Sequence, residues 1–431
     1  MMKFQIGSTF ILLLNISQYI RPCSPFAPSS RKSLIERSLR MSSSSTSPEF
    51  SKDIVIVGAG IIGLSTAYYL SRNHDENINS ITLVDRSGCI APAASGKAGG
   101  FLALDWNDYS SVGPLTRRSF QLHADLAEEL DGEKIQYRRL TCSSISVAET
   151  SRKKPNGRKL QGVEWADDNN TIDAESELQP GNIVGIRPLG DEDTIAQVHP
   201  KKLCDAMWKA IESNKNIETN LVEGTVKEKA EYDSSGKLIG AKLDDGTIIN
   251  AGTILFSCGP WTEHGNCMVG VKYHSAIIPT PRVLSQSVFF DGYGDPEVYP
   301  RPDSTAYCCG FPDPPVRVTE FPGKEEVRDE KIEEIVNSVR NASGGINGAL
   351  GTEPELKQSC YLPTTPDNLP LMGEIRDQKG CFIASGHGCW GILMGPATGE
   401  AMASLMTTGA SSKYVKMESF RPERFENKPL W

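Results

Sequence analysis

Hydrophobic positions in this chain fall into short continuous runs rather than alternating ones. Asp53-Ile-Val-Ile-Val57 has no polar break after its first residue, the pattern of a strand covered on both faces. Ile81-Thr-Leu-Val84, Gly252-Thr-Ile-Leu-Phe256 and Gly380-Cys-Phe-Ile-Ala-Ser385 repeat it. Leu64–Leu70 has helical character between the first two runs, and a second helix should contain Glu400–Met406. Further strands are predicted at Ser143–Ala148, Val271–Ile278 and Val283–Phe290, among Pro-rich connections. Arg328–Asn341 has the pattern of an amphipathic helix with a structural role.

The first fifty residues differ from the rest. Lys3 precedes an apolar stretch from Phe10 to Leu14 that continues unevenly to Ile20, too short and too interrupted to span a bilayer. A basic, Ser-rich, acid-poor segment follows, as in transit peptides. Cys23-Ser-Pro-Phe-Ala-Pro resembles the junction of two-part plastid presequences in algae with complex plastids. Residues 1–50 are therefore expected to be a signal-plus-transit address for the plastid, or else a disordered tail with a chance apolar patch, with cytoplasm or mitochondrion as alternative locations. They carry six basic and two acidic groups, a balance of +4 that leaves −13 on the other 381 residues.

That acidity argues against a general nucleic-acid binder, which must replace counterions on phosphate. Hydrophobic content of 39% with 23% charged residues excludes global disorder and multi-pass membrane architecture. Eleven cysteines without a C-x-x-C pair argue against a zinc site, so no metal is expected. Glycine, at 39 residues, is somewhat enriched, and its placement is informative.

The first buried strand runs straight into Gly58-Ala-Gly60-Ile-Ile-Gly63, and the second ends in Asp85, 22 residues beyond Gly63. Strand, glycine motif, helix, strand and acid in that order are the fingerprint of a dinucleotide site. Gly58 permits the tight turn, Gly60 lets backbone approach a pyrophosphate, and Gly63 allows helix to pack on strand. The helix N-terminus offers N–H groups and partial positive charge. Asp85 suits a ribose 2′-hydroxyl and would repel a 2′-phosphate, which leaves NAD or FAD. A second small-residue loop, Ala93–Phe101, favours a bulky flat ligand, with Ser95 and Lys97 able to contact phosphate or a flavin edge. Asn220–Val226 reads as a strand whose backbone could hold an adenine edge. Gly386-His-Gly-Cys-Trp-Gly391 leads into the last helix, whose N-terminus could hold negative charge at a reduced flavin.

Together these motifs resemble the FAD-dependent oxidoreductases of the D-amino-acid oxidase and glycine/sarcosine oxidase superfamily. Gly58–Gly63 with Asp85 matches its N-terminal fingerprint. Ile254–Trp261 is similar to its “ssAAGAWS” strand, with Ser257, Gly259 and Trp261 aligned. Leu362–Gly373 resembles “RPxTPDxxPxIG”, and Gly386–Gly399 its C-terminal flavin loop. Ala94–Trp106 looks like a little-characterised branch of fungi and plants. The resemblance implies an α/β fold, a doubly wound Rossmann-like FAD-binding domain interleaved with a mixed β-sheet substrate domain. The FAD domain would take residues 51–130, 196–264 and 356–420, and the substrate domain 131–195 and 265–355.

It also implies the cofactor contacts. They are Gly58, Ala59, Gly60, Ile61, Ile62, Gly63, Asp85, Arg86, Ser95, Gly96, Lys97, Ala98, Gly99, Val226, Cys258, Gly259, Trp261, Gly388, Gly391, Ile392 and Leu393. The implied activity is hydride transfer from a small amine or amino acid to flavin N5, leaving an imine that hydrolyses. His387 and Tyr361 are the candidate pocket residues for catalysis, with Trp106 near the flavin. One departure stands out. Leu362 occupies the place where amino-acid-specific members carry an arginine that holds the substrate carboxylate. That departure also admits an alternative, an FAD-binding protein with an assembly or trafficking role. The expected partner is a small molecule, with no nucleic acid and no integral membrane segment in the mature chain.

Overall fold

The computed structural model of the protein describes residues 53–72, 78–147, 163, 165, 183–291 and 294–425. The expected address at residues 1–50 lies outside them, as does most of 148–182 within the expected substrate domain.

The chain opens with β1 (Asp53–Val57), α1 (Ile61–Ser71) and β2 (Ser80–Asp85), then α2 (Ala94–Lys97), β3 (Phe101–Ala103) and α3 (Gly113–Glu129). It continues through β4 (Arg138–Arg139), β5 (Thr141–Val147), β6 (Ile183–Gly190) and β7 (Ile195–Gln197) to α4 (Pro200–Glu212). Next come β8 (Glu218–Glu223), β9 (Val226–Tyr232), β10 (Leu238–Leu243), β11 (Ile248–Asn250) and β12 (Thr253–Phe256). Then follow β13 (Val269–Pro279), β14 (Gln286–Asp291), β15 (Glu297–Pro300), β16 (Thr305–Gly310) and α5 (Asp329–Ala342). The last elements are β17 (Leu356–Thr364), β18 (Leu371–Glu374), β19 (Cys381–Ser385) and α6 (Gly391–Thr408).

Two large sheets organise these elements. The first has the order β18-β19-β12-β1-β2-β8, parallel throughout except for β18 at its edge. The continuous apolar run of β1 places it near the centre. Ile54 and Ile56 pack with α1, α3, α4 and α6, while Val55 and Val57 pack with β9 and β10. One layer is therefore helical, and the other is the small antiparallel sheet β11-β10-β9. From β1 the chain runs to β2 on one side, and β12 lies on the other, the switch at which such sheets open a crevice.

The second sheet has the order β17-β13-β16-β15-β14-β5-β6 and is mixed, because β5 runs parallel to β14. One face is covered by α5 through Ile332, Ile335, Val336 and Val339. The other carries Phe289, Tyr299, Tyr307 and Cys309 against Phe101 and Ala103 of β3. Cys308 and Cys309 point to opposite faces, because successive strand residues alternate. Among the described residues ten cysteines are free thiols, and no His/Cys/Asp/Glu cluster could hold a metal.

Two expected boundaries shift. Residue 356 does not open the FAD-binding half: β17 pairs antiparallel with β13 along its full length and belongs to the second sheet. The boundary at 195/196 cuts through β7, which pairs with both β3 and β4.

α6 begins at Gly391 and runs through Pro396, earlier than a helix placed only around Glu400–Met406. Pro396 has no N–H for the carbonyl of Ile392. His123 Nε2 donates to that carbonyl instead, at 2.9 Å, and Ala397 N–H donates to Ser119 Oγ at 3.0 Å. Gly395 and Gly399 sit against Ile61 and Ser65 of α1, where a Cβ would collide. These two glycines serve helix packing, not approach to a ligand.

Candidate active site

All the parallel strands of the first sheet end at one cleft. Val57 at the end of β1, Val84 in β2, Gly224 after β8, Ser257 after β12 and Ser385 of β19 all line it. It is an open cleft, with about 1200 Å³ of space including its mouth. It lies across the carboxyl ends of the strands, where an extended ligand would fit.

The turn between β1 and α1 is built as the motif requires. Gly58 has φ +103°, and a Cβ there would overlap the Ser257 carbonyl. A Cβ on Gly63 would overlap the Gly58 carbonyl and stand 2.7 Å from Ser257 Oγ. Ser95, 34 residues from α1, accepts the Ile61 N–H at 3.0 Å and so caps the helix from the second small-residue loop. Gly259 (φ +55°) and Gly388 (φ +59°) line the cleft with nothing within 4 Å of where a Cβ would stand, so a side chain there would enter the cavity.

Asp85 ends β2 on the cleft wall. Its Oδ2 accepts the Ala59 N–H at 3.0 Å and its Oδ1 accepts from Ser87 N at 2.9 Å and Ser87 Oγ at 2.7 Å. The carboxylate thus braces the glycine turn and keeps lone pairs for a ligand hydroxyl. Glu228 of β9 also lines the cleft, a residue the sequence pattern does not single out. Its Oε2 accepts the His264 N–H at 2.7 Å, whereas Oε1 is buried without a partner. Burial pushes its carboxyl up to about 7, against the pull of that hydrogen bond. An orphaned acceptor in the wall is what a ribose hydroxyl or adenine amine would satisfy.

Sixteen of the expected residues line the cleft, counting His387: Gly58, Gly60, Ile61, Ile62, Asp85, Arg86, Ser95, Ala98, Val226, Cys258, Gly259, Trp261, His387, Gly388, Gly391 and Ile392. Seven do not. Ala59 and Gly63 lie behind the turn, and Leu393 is buried in the helical core. Gly96 packs on the Ala91 carbonyl, and Gly99 packs on the rings of Tyr299 and Tyr307. Lys97 is turned away: its Nζ pairs with Glu325 and donates to the Ser359 carbonyl at 3.0 Å.

Tyr361 is the clearest correction. It pairs with Lys272 on the far face of the second sheet, and its hydroxyl donates to Glu320. Strand alternation gives the cleft its neighbour Leu362 instead. His387 does line the cleft, but its Nε2 meets Thr398 Oγ1 at 3.0 Å, tying the loop to α6. Burial pushes its imidazole down to about 3, so it is neutral and serves as an anchor. Trp106 joins Phe101, Phe289 and Trp390 in an aromatic group beside the loop.

A parallel sheet with a glycine-lined cleft at its switch point, beside a mixed sheet, is the architecture of a dinucleotide-binding protein. Sequence comparison makes the class specific. The profile of the DAO family, FAD dependent oxidoreductase, matches residues 53–405, and the chain belongs to that family. The protein is an FAD-dependent enzyme. A Schizosaccharomyces pombe protein described only as an oxidoreductase is 31% identical over 389 residues, spanning 84% of this chain and 95% of its own. Glycine oxidase of Geobacillus kaustophilus is 24% identical over 372 residues, spanning 82% of this chain and 92% of its own. The solved structure of glycine oxidase from Geobacillus kaustophilus superposes with a TM-score of 0.66 at 22% identity, covering 86% of this chain and 98% of that one. L-proline dehydrogenase from P. horikoshii gives 0.62 at 18% identity, covering 88% and 98%, which shows the shared fold.

Proposed function

We propose that this enzyme oxidises a carbon–nitrogen bond of a small amine or amino acid. The observation that carries the reading is that the Gly386–Gly391 loop, which lines the dinucleotide cleft, carries Trp390 against the aromatic face of the second sheet. FAD bound there supplies an acceptor for the hydride that leaves the substrate carbon. The chain's own part is placement. Gly58, Gly60 and the α1 N-terminus would hold the pyrophosphate, with Asp85 and Glu228 toward the ribose and adenine. The start of α6 directs its dipole at the cleft and favours negative charge there. Phe101, Trp106, Phe289 and Trp390 exclude water from the reacting side. No acid–base pair among the described cleft residues is required, because orientation can supply much of the rate.

Glycine oxidase among the relatives supports the substrate class. The test is anaerobic mixing of the FAD-loaded protein with amines, N-methyl amines, D- and L-amino acids and hydroxy acids, following the flavin's visible absorbance. Bleaching by nitrogen donors is expected. Bleaching by hydroxy acids alone, or by no donor, would overturn the reading. We further propose plastid delivery by residues 1–50, checked by imaging a fluorescent protein fused to that segment; diffuse cytoplasmic signal would reject it.

A further inference from the structure

The second sheet presents a carboxylate within its aromatic wall. Glu297 opens β15, with Phe289 of β14 on one side and Cys309 of β16 on the other. Tyr299 Oη donates to its Oε2, and Cys309 Sγ lies 3.6 Å from the same oxygen. Phe101 stacks on Tyr299 at 5.3 Å between ring centres, and Trp106 contacts Phe289 at 5.2 Å and Trp390 at 6.1 Å. Glu297 and Tyr273 are half-buried and Cys389 is exposed, so each keeps accessible surface. Cys389 also lines the cleft and is close enough to Glu297 for its thiol to feel the charge. Glu297 thus lies near the cleft wall at the Gly388–Gly391 loop.

Among the described residues no cation is paired with that carboxylate. Lys97 is paired with Glu325, and Lys272 lies on the opposite face with Glu320. Arg301, four residues along and about 13 Å away by strand rise, sits over Tyr307 at 5.6 Å. Asp295 adds negative charge. Leu362 offers no cation for a substrate carboxylate.

We propose that Glu297 holds the ammonium group of a small cationic amine against this aromatic wall, so that substrates are recognised by positive charge and not by a carboxylate. The proposal rests on the carbon–nitrogen oxidation proposed above. A carboxylate held among rings by only Tyr299 and Cys309 is costly, and an ammonium both pairs with it and lies favourably over ring faces. For turnover the ammonium passes one proton to Glu297, leaving the neutral amine whose nitrogen lone pair expels the hydride. Burial pushes the Glu297 carboxyl up, a shift that an arriving cation would reverse.

The probes are tert-butylamine, as its ammonium ion, and pivalate, its near-isosteric anion. The amine-bearing carbon of the first has no hydrogen, so binding is read without turnover. Calorimetry on the FAD-loaded protein should show the ammonium binding and pivalate not. Glu297→Gln should weaken the ammonium roughly 10- to 100-fold with flavin absorbance unchanged. In turnover, n-butylamine should reduce the flavin with higher kcat/KM than norvaline, which is the same skeleton with a carboxylate added. Pivalate binding as well as or better than the ammonium, binding of neither, an unchanged Glu297→Gln affinity, or norvaline outpacing butylamine would each overturn the proposal. The wild-type comparison stands even if the variant fails to fold. Ammonium binding without flavin reduction by any donor would fell the oxidation reading and leave the cation site intact.

Discussion

The dinucleotide end of the cleft wall is largely backbone, whereas the face of the second sheet beside it is made of side chains. Gly58, Gly60, Gly259 and Gly388 bring main chain to the surface of the first region, and Asp85 mostly braces the turn itself. The second region is rings and one carboxylate, from β3, β14, β15, β16 and the loop before α6. Backbone recognition demands glycine at set spacings, so it constrains sequence tightly. Side-chain recognition leaves the scaffold free to vary, which suits a fold that keeps one cofactor and changes substrates.

The sharpest way to break the first region alone is Gly63→Val. Its branches have no space beneath the Gly58 turn, so we expect about 3 kcal/mol lost and no FAD retained, read by thermal unfolding and visible absorbance. Acid should weaken both regions. Burial, then Arg328, pushes His274 behind the second sheet down to about 4, and burial pushes His387 in the cleft down to about 3. The folded state therefore takes up these protons later than the unfolded chain, so stability is full above about pH 6.5 and falls as pH drops. For His274 the loss reaches about 3 kcal/mol by pH 4, and His274→Gln should flatten the slope of melting temperature against pH.

Tyr361→Phe separates packing from chemistry in the second region. Losing the hydroxyl's bond to Glu320 should cost about 1–2 kcal/mol in denaturant unfolding. Flavin content and its reduction by substrate should not change; a large fall in reduction rate would return Tyr361 to the reaction. Gly259→Ala is the mildest. It adds a methyl to open cleft at φ +55°, so stability should fall by only about 1 kcal/mol while FAD affinity drops roughly tenfold, measured by fluorescence titration.

The dinucleotide site was legible because its determinants are local: β1, the glycine turn and β2 stand within 33 residues, from Asp53 to Asp85. Ser95 was found for a similar reason, as a small residue in a loop soon after. The errors share one cause. Tyr361 and Leu362 are adjacent, and only the pairing of β17 with β13 decides which of them faces the cleft. Gly395 and Gly399 sit in a glycine-rich stretch that reads like cofactor loop, yet α1 lies against them. Glu228 and Glu297 carry no local signal at all, since a carboxylate on a strand is ordinary until its surroundings are known.

By itself the sequence determined the dinucleotide turn with its flanking strands, because tight turns, buried strands and helix starts impose residue types over short spans. Its resemblance to a family supplied FAD and the two-sheet α/β architecture. Tertiary structure alone decided which side chains turn toward the cleft and the aromatic face beside it. Strand register, sheet order and the packing of α6 on α1 bring together residues as distant as Trp106, Glu297 and Cys389, and a one-residue change of phase would exchange one face for the other.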